Sequence, residues 1–223
     1  MEYIKAIFSL LFPTKNLCYL CIETSETIND YICIDCTNLL DIVHREVRLD
    51  SPFIDRVYYT LIYNRYMRDI VKDFKFNKKS YLYKPLGVLM LKTISEKNIN
   101  KDVDLILYIP SHRRKEAKRG YNQAYLISKE LSKIMQLPEE SNFLIRTKNT
   151  PSQSLLHKDE RHNNIKNAFK VTDVDNVQGK KILLIDDVLT TGSTLNECSR
   201  VLKEAGADKV DIAVIAVAFA FKL

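Results

Sequence analysis

Beyond residue 50 the chain alternates short apolar runs with amphipathic stretches. Val57–Tyr63 (V-Y-Y-T-L-I-Y) is aromatic and β-branched, which predicts a strand. In Arg65–Phe76 the apolar residues Tyr66, Ile70, Val71 and Phe74 recur at helical spacing, with Arg65, Arg68, Lys72 and Lys75 among them. Tyr83–Lys97 reads as a second helix. Asp104–Ile109 predicts a buried strand that Pro110 ends. Gly120–Ala124 opens a further helix running to about Met135, and Phe143–Arg146 predicts another strand. Ile182–Ile185 is a continuous apolar run, read as a strand buried on both faces of a parallel sheet and ending at Asp186 and Asp187. Leu195–Ala205 has helix composition and is stopped by Gly206. From Lys209 the chain turns apolar again, as one or two strands completing the sheet. The expected fold class is α/β, a parallel sheet flanked by helices.

The stretch Lys181–Thr194 (K-I-L-L-I-D-D-V-L-T-T-G-S-T) carries the most specific chemistry. A strand leading through a glycine and hydroxyl turn into a helix start is built to hold an anion. Gly192 can adopt backbone angles closed to other residues. The hydroxyls of Thr190, Thr191, Ser193 and Thr194 can donate to phosphate oxygens. The loop has no lysine, so it is not the phosphate loop of nucleoside triphosphatases. Asp186 and Asp187 would repel phosphate but accept hydrogen bonds from sugar hydroxyls. A pentose 5-phosphate fits both halves. The competing reading is a plain helix cap after a strand.

At 223 residues the chain can bury one good core plus an appendage. Hydrophobic content of 46% and charged content of 28% are those of an ordinary soluble protein. A net charge of +6 permits polyanion partners without demanding them. No run approaches a membrane span. Ile4–Phe12 is short, apolar and without a cleavage site, so an amphipathic helix packed on the main body is expected, in a cytoplasmic protein.

Cysteine usage divides the chain. Cys18-x-x-Cys21 and Cys33-x-x-Cys36 form two knuckles able to set four thiolates tetrahedrally around structural Zn²⁺. So short a segment cannot build a core alone, and metal would supply its folding energy. A redox dithiol or disulfides are the alternatives. Cys198 stands apart as a small buried apolar residue. The expected division is 1–50, an N-terminal helix and zinc-finger module, and 51–223, the α/β domain.

Five of the seven residues from Arg113 to Arg119 are basic. Ser111–Gly120 reads as a cationic loop at a strand's C-terminal end, where open α/β sheets bind ligands. Ser111, His112, Arg113 and Arg114 suit a pyrophosphate. Lys75, Arg113, Arg114, Lys115, Lys118 and Arg119 are candidates for a nucleic acid backbone; Lys78 and Lys79 extend the basic rim, and a solvated face is the plain alternative. Arg146–Phe169 starts as a polar, mobile loop and continues as a helix over Leu155–Asn164, with His157 and His162 solvated. Such a loop could close over a site and exclude water.

The stretch I-D-D-V-L-T-T-G-S-T resembles the phosphoribosyl-diphosphate motif of type I phosphoribosyltransferases. In that family the acids hold the ribose hydroxyls and the loop the 5-phosphate; Thr190 stands where some purine-salvage members place a third Asp as base. Three further strings widen the resemblance: L-F-P before the two C-x-x-C pairs, Arg119–Ala124 (R-G-Y-N-Q-A), and Gln153, Leu155, Arg161, Asn164, Ala168 and Phe169. Together they resemble the ComF (ComFC-like) competence family, phosphoribosyltransferase-like proteins bearing a zinc finger. The resemblance implies 5-phosphoribosyl 1-diphosphate with Mg²⁺ in the pocket and a role in natural transformation, handling single-stranded DNA. It also implies a competence DNA helicase (ComFA-like) as partner, and a cytoplasmic place, free or beside the membrane-bound uptake machinery. Whether the protein transfers the sugar or is a non-catalytic strand-binding adaptor stays open at this point.

Overall fold

The computed structural model describes residues 16–138, 142–148 and 165–218. The first pieces are a hairpin of β1 (Ile28–Asn29) and β2 (Ile32–Cys33) and the short helix α1 (Ile34–Asn38). There follow β3 (Ile42–Val47), β4 (Arg56–Ile62), α2 (Arg65–Phe76), α3 (Tyr83–Glu96), β5 (Leu105–Tyr108), α4 (Arg113–Arg119) and α5 (Gln123–Met135). The chain continues with β6 (Leu144–Arg146), β7 (Phe169–Val171), β8 (Lys181–Leu189), α6 (Ser193–Glu204) and β9 (Lys209–Val217). The helix expected at Ile4–Phe12, and the stretch with Leu155–Asn164, His157 and His162, lie outside the described residues.

Five strands form one sheet in the order β3-β4-β9-β8-β5. Four of them run parallel, and β3 pairs antiparallel with β4 at the edge. The sheet is therefore mixed, and β3 is an element the hydrophobic pattern did not reveal. Its side chains are half-buried or exposed, so I-V-H-R-E-V shows no apolar run. The strand expected after Lys209 completes the sheet as β9, at its centre. Eight of the nine residues of β9 are buried, the composition that a strand covered on both faces requires.

Helices cover both faces. On one face α2, α3 and α5 pack Met67, Phe74, Leu86, Met90, Ile127 and Leu131 against Leu183, Ile185 and Ala213. On the other, α6 and the β6–β7 hairpin pack Leu195, Leu202, Leu144 and Phe169 against Ile182, Leu184 and Ile212. The cysteine segment shares the first of these cores: Cys18, Ile32, Cys33, Cys36 and Leu40 are buried in the cluster that holds Met67 and Phe74.

Two expectations change here. The strand read as ending at Ile185 continues through both acids to Leu189, because β9 keeps pairing with it, Asp186 opposite Val214 and Leu189 opposite Val217. On its other edge β5 stops at Tyr108 opposite Ile185, where Pro110 follows. The acids thus lie on an overhang with one edge uncovered. Secondly, the basic run is a helix rather than a loop: His112 caps its start and Gly120, at φ 91°, ends it.

Leu184 is fully buried in the second core. Leu184→Ala should cost about 2–5 kcal/mol of unfolding free energy in urea titration; a loss below about 1 kcal/mol would contradict the packing described.

Candidate functional site

Because side chains alternate along a strand, the two adjacent acids are divided between the faces of β8. Asp187 follows Ile185 onto the α2 side, where Lys75 Nζ lies 2.7 Å from its Oδ2. Asp186 follows Leu184 onto the other side, within electrostatic reach of Arg146 on β6 and of Cys198 on α6. Each carboxylate also accepts the amide of the next residue, Asp187 N–H to Asp186 Oδ1 at 2.8 Å and Val188 N–H to Asp187 Oδ1 at 2.7 Å. Burial and then the neighbouring Asp187 raise the Asp186 pKa to about 7, against the opposing pull of Lys75 and Arg146.

Past Leu189 the chain turns through Thr190 and Thr191 to Gly192, which caps α6 with φ 77° and ψ −6°. A Cβ there would sit 3.2 Å from Leu49 Cδ1, so both the conformation and the space favour glycine. Thr191 Oγ1 and Ser193 Oγ stand 3.1 Å apart across the turn.

Two depressions meet at the acids. A cleft of about 660 Å³ runs between α2 and the turn, lined by Tyr63, Arg68, Lys72, Phe76, Thr190 and Gly192 among others. A smaller hollow of about 150 Å³ lies above the end of β5, bounded by Pro110, Ser111, Asn122 and Arg146. Lys75, Arg119, Asp186, Asp187 and Thr194 line both. Of the four residues assigned to pyrophosphate, Ser111 lines the hollow and also donates to Glu116 at 3.2 Å. His112 accepts the Arg114 amide at 3.2 Å as a helix cap. Arg113, Arg114 and Lys118 are exposed and are not among the lining residues. Lys75, assigned to a basic rim, stands instead at the centre.

Arg146, which the sequence places at the end of a strand and the start of a polar loop without a role, lines the hollow as well. Its guanidinium lies over the Phe169 ring at 5.2 Å and in the wall of the hollow. Burial lowers its pKa, while Cys198 and Asp186 act in the opposite direction. Burial and then Arg146 also lower the pKa of Lys115 and of His112. Cations crowded and partly desolvated around one hollow favour an anion there.

The R-G-Y-N-Q-A string builds the frame. Tyr121 Oη donates to the Phe74 carbonyl at 2.8 Å and Gln123 Nε2 donates to the same oxygen at 2.7 Å. Phe74 lies in the last turn of α2, where helix carbonyls need outside donors. Asn122 caps α5 and donates from Nδ2 to the Ile109 carbonyl at 3.0 Å. The string therefore ties the end of α2, and with it Lys75, to the end of β5.

The four cysteines Cys18, Cys21, Cys33 and Cys36 place their sulfurs within 4.8 Å of one another, unjoined by disulfides. Cys21 and Cys33 sulfurs are 3.9 Å apart, close to the edge of about 3.8 Å for a tetrahedron with metal–sulfur bonds near 2.3 Å. Cys18 and Cys33 sulfurs accept backbone amides, and Tyr66 Oη donates to Cys36 Sγ at 3.0 Å. This donor set can hold a metal ion and fits a thiophilic one.

A mixed α/β sheet with flanking helices and this strand–turn–helix define a protein of the type I phosphoribosyltransferase fold, carrying a four-thiol appendage. The phosphoribosyl transferase domain family matches residues 117–219. Competence protein ComFC of Bacillus subtilis (strain 168) is 30% identical over 210 residues, 91% of this chain and 83% of that protein. Competence protein F of Haemophilus influenzae is 32% identical over 147 residues, 64% of either chain. DNA utilization protein YhgH of Escherichia coli (strain K12) is 31% identical over 146 residues, 64% of this chain and 63% of that one. The matched region spans just under two thirds of these last two proteins. The chain belongs to the ComF (ComFC-like) competence family. No described helix is long and apolar enough to cross a membrane.

A raised folded-state pKa at Asp186 means that the native state binds the extra proton, so stability should fall as pH rises from about 4 to about 7. Urea titrations across that range in buffer without Mg²⁺ or phosphoribosyl ligands should show the decline in wild type and a flatter profile in Asp186→Asn. Identical profiles would contradict the burial described. A strong chelator should remove metal from the cysteine segment and expose Tyr66 and Ile32, read by hydrogen exchange; unchanged protection would exclude a metal-dependent segment.

Proposed function

We propose that this protein holds 5-phosphoribosyl 1-diphosphate with Mg²⁺ in the two-part cleft, and does so in the service of DNA uptake in natural transformation. The observation that carries the reading is the meeting of two acids, a glycine-bent hydroxyl turn and a hollow walled by Arg119 and Arg146, where two depressions share Asp186, Asp187 and Thr194. In this reading Asp186 and Asp187 accept the ribose hydroxyls. Thr190, Thr191, Gly192, Ser193 and Thr194 surround the 5-phosphate with hydroxyls and the amides of a helix start. The pyrophosphate lies toward Ser111–Arg114, with Arg119 and Arg146 beside it. Mg²⁺, a hard cation that prefers oxygen donors, would neutralise phosphate charge next to the acids.

Pyrophosphate departure leaves an oxocarbenium-like centre, so positioning and electrostatics would supply most of any rate. Release of pyrophosphate with a panel of acceptors tests whether transfer occurs. In the cysteine segment, Cys18, Cys21, Cys33 and Cys36 would hold Zn²⁺ as a structural ion. The names of the relatives, competence and DNA utilization proteins, support the link to DNA; single-stranded DNA and a competence helicase are the partners this implies.

A second reading, a strand-binding adaptor without turnover, is favoured by Arg113, Arg114 and Lys118, which are exposed outside the cleft. Calorimetry separates the two. Phosphoribosyl diphosphate with Mg²⁺ should bind wild type, and the paired change Asp186→Asn/Asp187→Asn should abolish binding; retention in that variant refutes the pocket. Gly192→Ala should weaken binding about tenfold or more, because φ 77° strains any side chain. Salt-sensitive oligothymidylate binding that survives the Asp changes but is lost on neutralising Arg113, Arg114, Lys118 and Arg119 supports the adaptor.

A further inference from the structure

A sugar phosphate and its leaving group would fill only part of the cleft. The turn at 190–194 and the hollow beside Arg146 accommodate the sugar phosphate and its leaving group, and Lys75 is engaged by Asp187. The far wall of the larger cleft, contributed by α2 and Tyr63, has no role in holding them. That wall carries Arg68, Lys72 and Phe76, spaced four and four apart and hence neighbours on one helix face.

Two properties of this wall point to a ligand. Phe76 is 70% exposed although it lines a cleft, and the Arg119 guanidinium sits 5.6 Å from its ring centre. An exposed aromatic face beside a guanidinium offers a planar ring an apolar surface and a cation to stack on. One turn back, Lys72 is exposed and, among the described residues, forms no ion pair. A further turn back, the ion pair that Arg68 forms among the described residues is with Asp69 at 4.0 Å, with both side chains more than 60% exposed, a pairing of little worth in water. Residues four apart on a helix hold their Cβ atoms about 5–6 Å from each other. The long, flexible Lys72 side chain spans that spacing, so its ammonium can meet an anionic group carried by a ring on Phe76.

We infer that this wall is the acceptor subsite, and that the acceptor is a small planar ring bearing an anionic group. The ring lies on Phe76 and the anion meets Lys72, with Arg68 behind it. The inference rests on the phosphoribosyl diphosphate reading for the identity of the first ligand. Its own evidence is the wall.

Matched pairs that differ in charge test it: orotate against uracil, and nicotinate against nicotinamide. Each is titrated calorimetrically into the full chain with Mg²⁺, with and without phosphoribosyl diphosphate. The acid of at least one pair should bind about tenfold more tightly than its neutral partner, the worth of one charge-assisted contact. Arg68→Ala/Lys72→Ala should bring that preference to within about twofold. Phe76→Ser should weaken both members of the pair. Equal binding of acid and neutral ring, binding of neither, or a preference that survives the double substitution overturns the subsite. Oligothymidylate binding lost in Arg68→Ala/Lys72→Ala, with no charge preference among the rings, gives the wall to a nucleic acid strand and likewise overturns it. Failure of phosphoribosyl diphosphate to bind wild type would sink the earlier reading alone, since the ring titrations without it still decide the wall.

Discussion

Two carboxylates side by side at the end of a buried strand repel each other, and the site is organised around how that repulsion is relieved. Strand alternation separates them onto opposite faces of the sheet. Asp187 is then met by Lys75 and Asp186 by the field of Arg146. Burial and the neighbouring carboxylate still hold the Asp186 pKa above the ordinary carboxylate range. A protein gains nothing in stability from such a pair, and its place where two hollows adjoin supports the binding reading proposed for them.

That relief depends on elements far apart in the chain being held in register. The Phe74 carbonyl accepts from both Tyr121 and Gln123, and the Ile109 carbonyl accepts from Asn122. These bonds lock the end of α2 to the start of α5 and the end of β5. The string R-G-Y-N-Q-A therefore matters first as a splice. Arg119 lines both the cleft and the hollow, and Asn122, Gln123 and Ala124 line the hollow, because the splice brings them there. The cysteine segment supports the same helix near its start, where Tyr66 donates to Cys36 and the buried thiols share a core with Met67 and Phe74. The four-thiol cluster and the acid-lined cleft are thus joined through α2.

The positions of the charges also sort the two proposed ligands. Cations inside the hollow, partly desolvated and crowded, suit a compact, highly charged group. Those outside, Arg113, Arg114 and Lys118, are hydrated and suit a polymer that approaches from solvent. The helix that carries them was read as a loop because five basic residues in seven obscure any apolar periodicity. Its helicity comes from the caps at His112 and Gly120.

Wherever the chemistry is contiguous, the sequence was enough. The strand–turn–helix at Lys181–Thr194, the two C-x-x-C pairs, the helix over Arg65–Phe76 and the α/β class all follow from local spacing, because hydrogen-bonded elements impose a period on the residues that form them. What needed the tertiary structure was everything set by pairing across the chain. β8 runs past the acids because β9 continues beside it while β5 stops. β9 is central because burial on both faces leaves it no solvent edge, and edge strand β3 shows too little apolar pattern to be seen. Lys75 and Arg146 belong to the site only because α2 and β6 converge on opposite faces of one strand. No local period in the sequence records such a meeting, since it depends on how the sheet orders its strands.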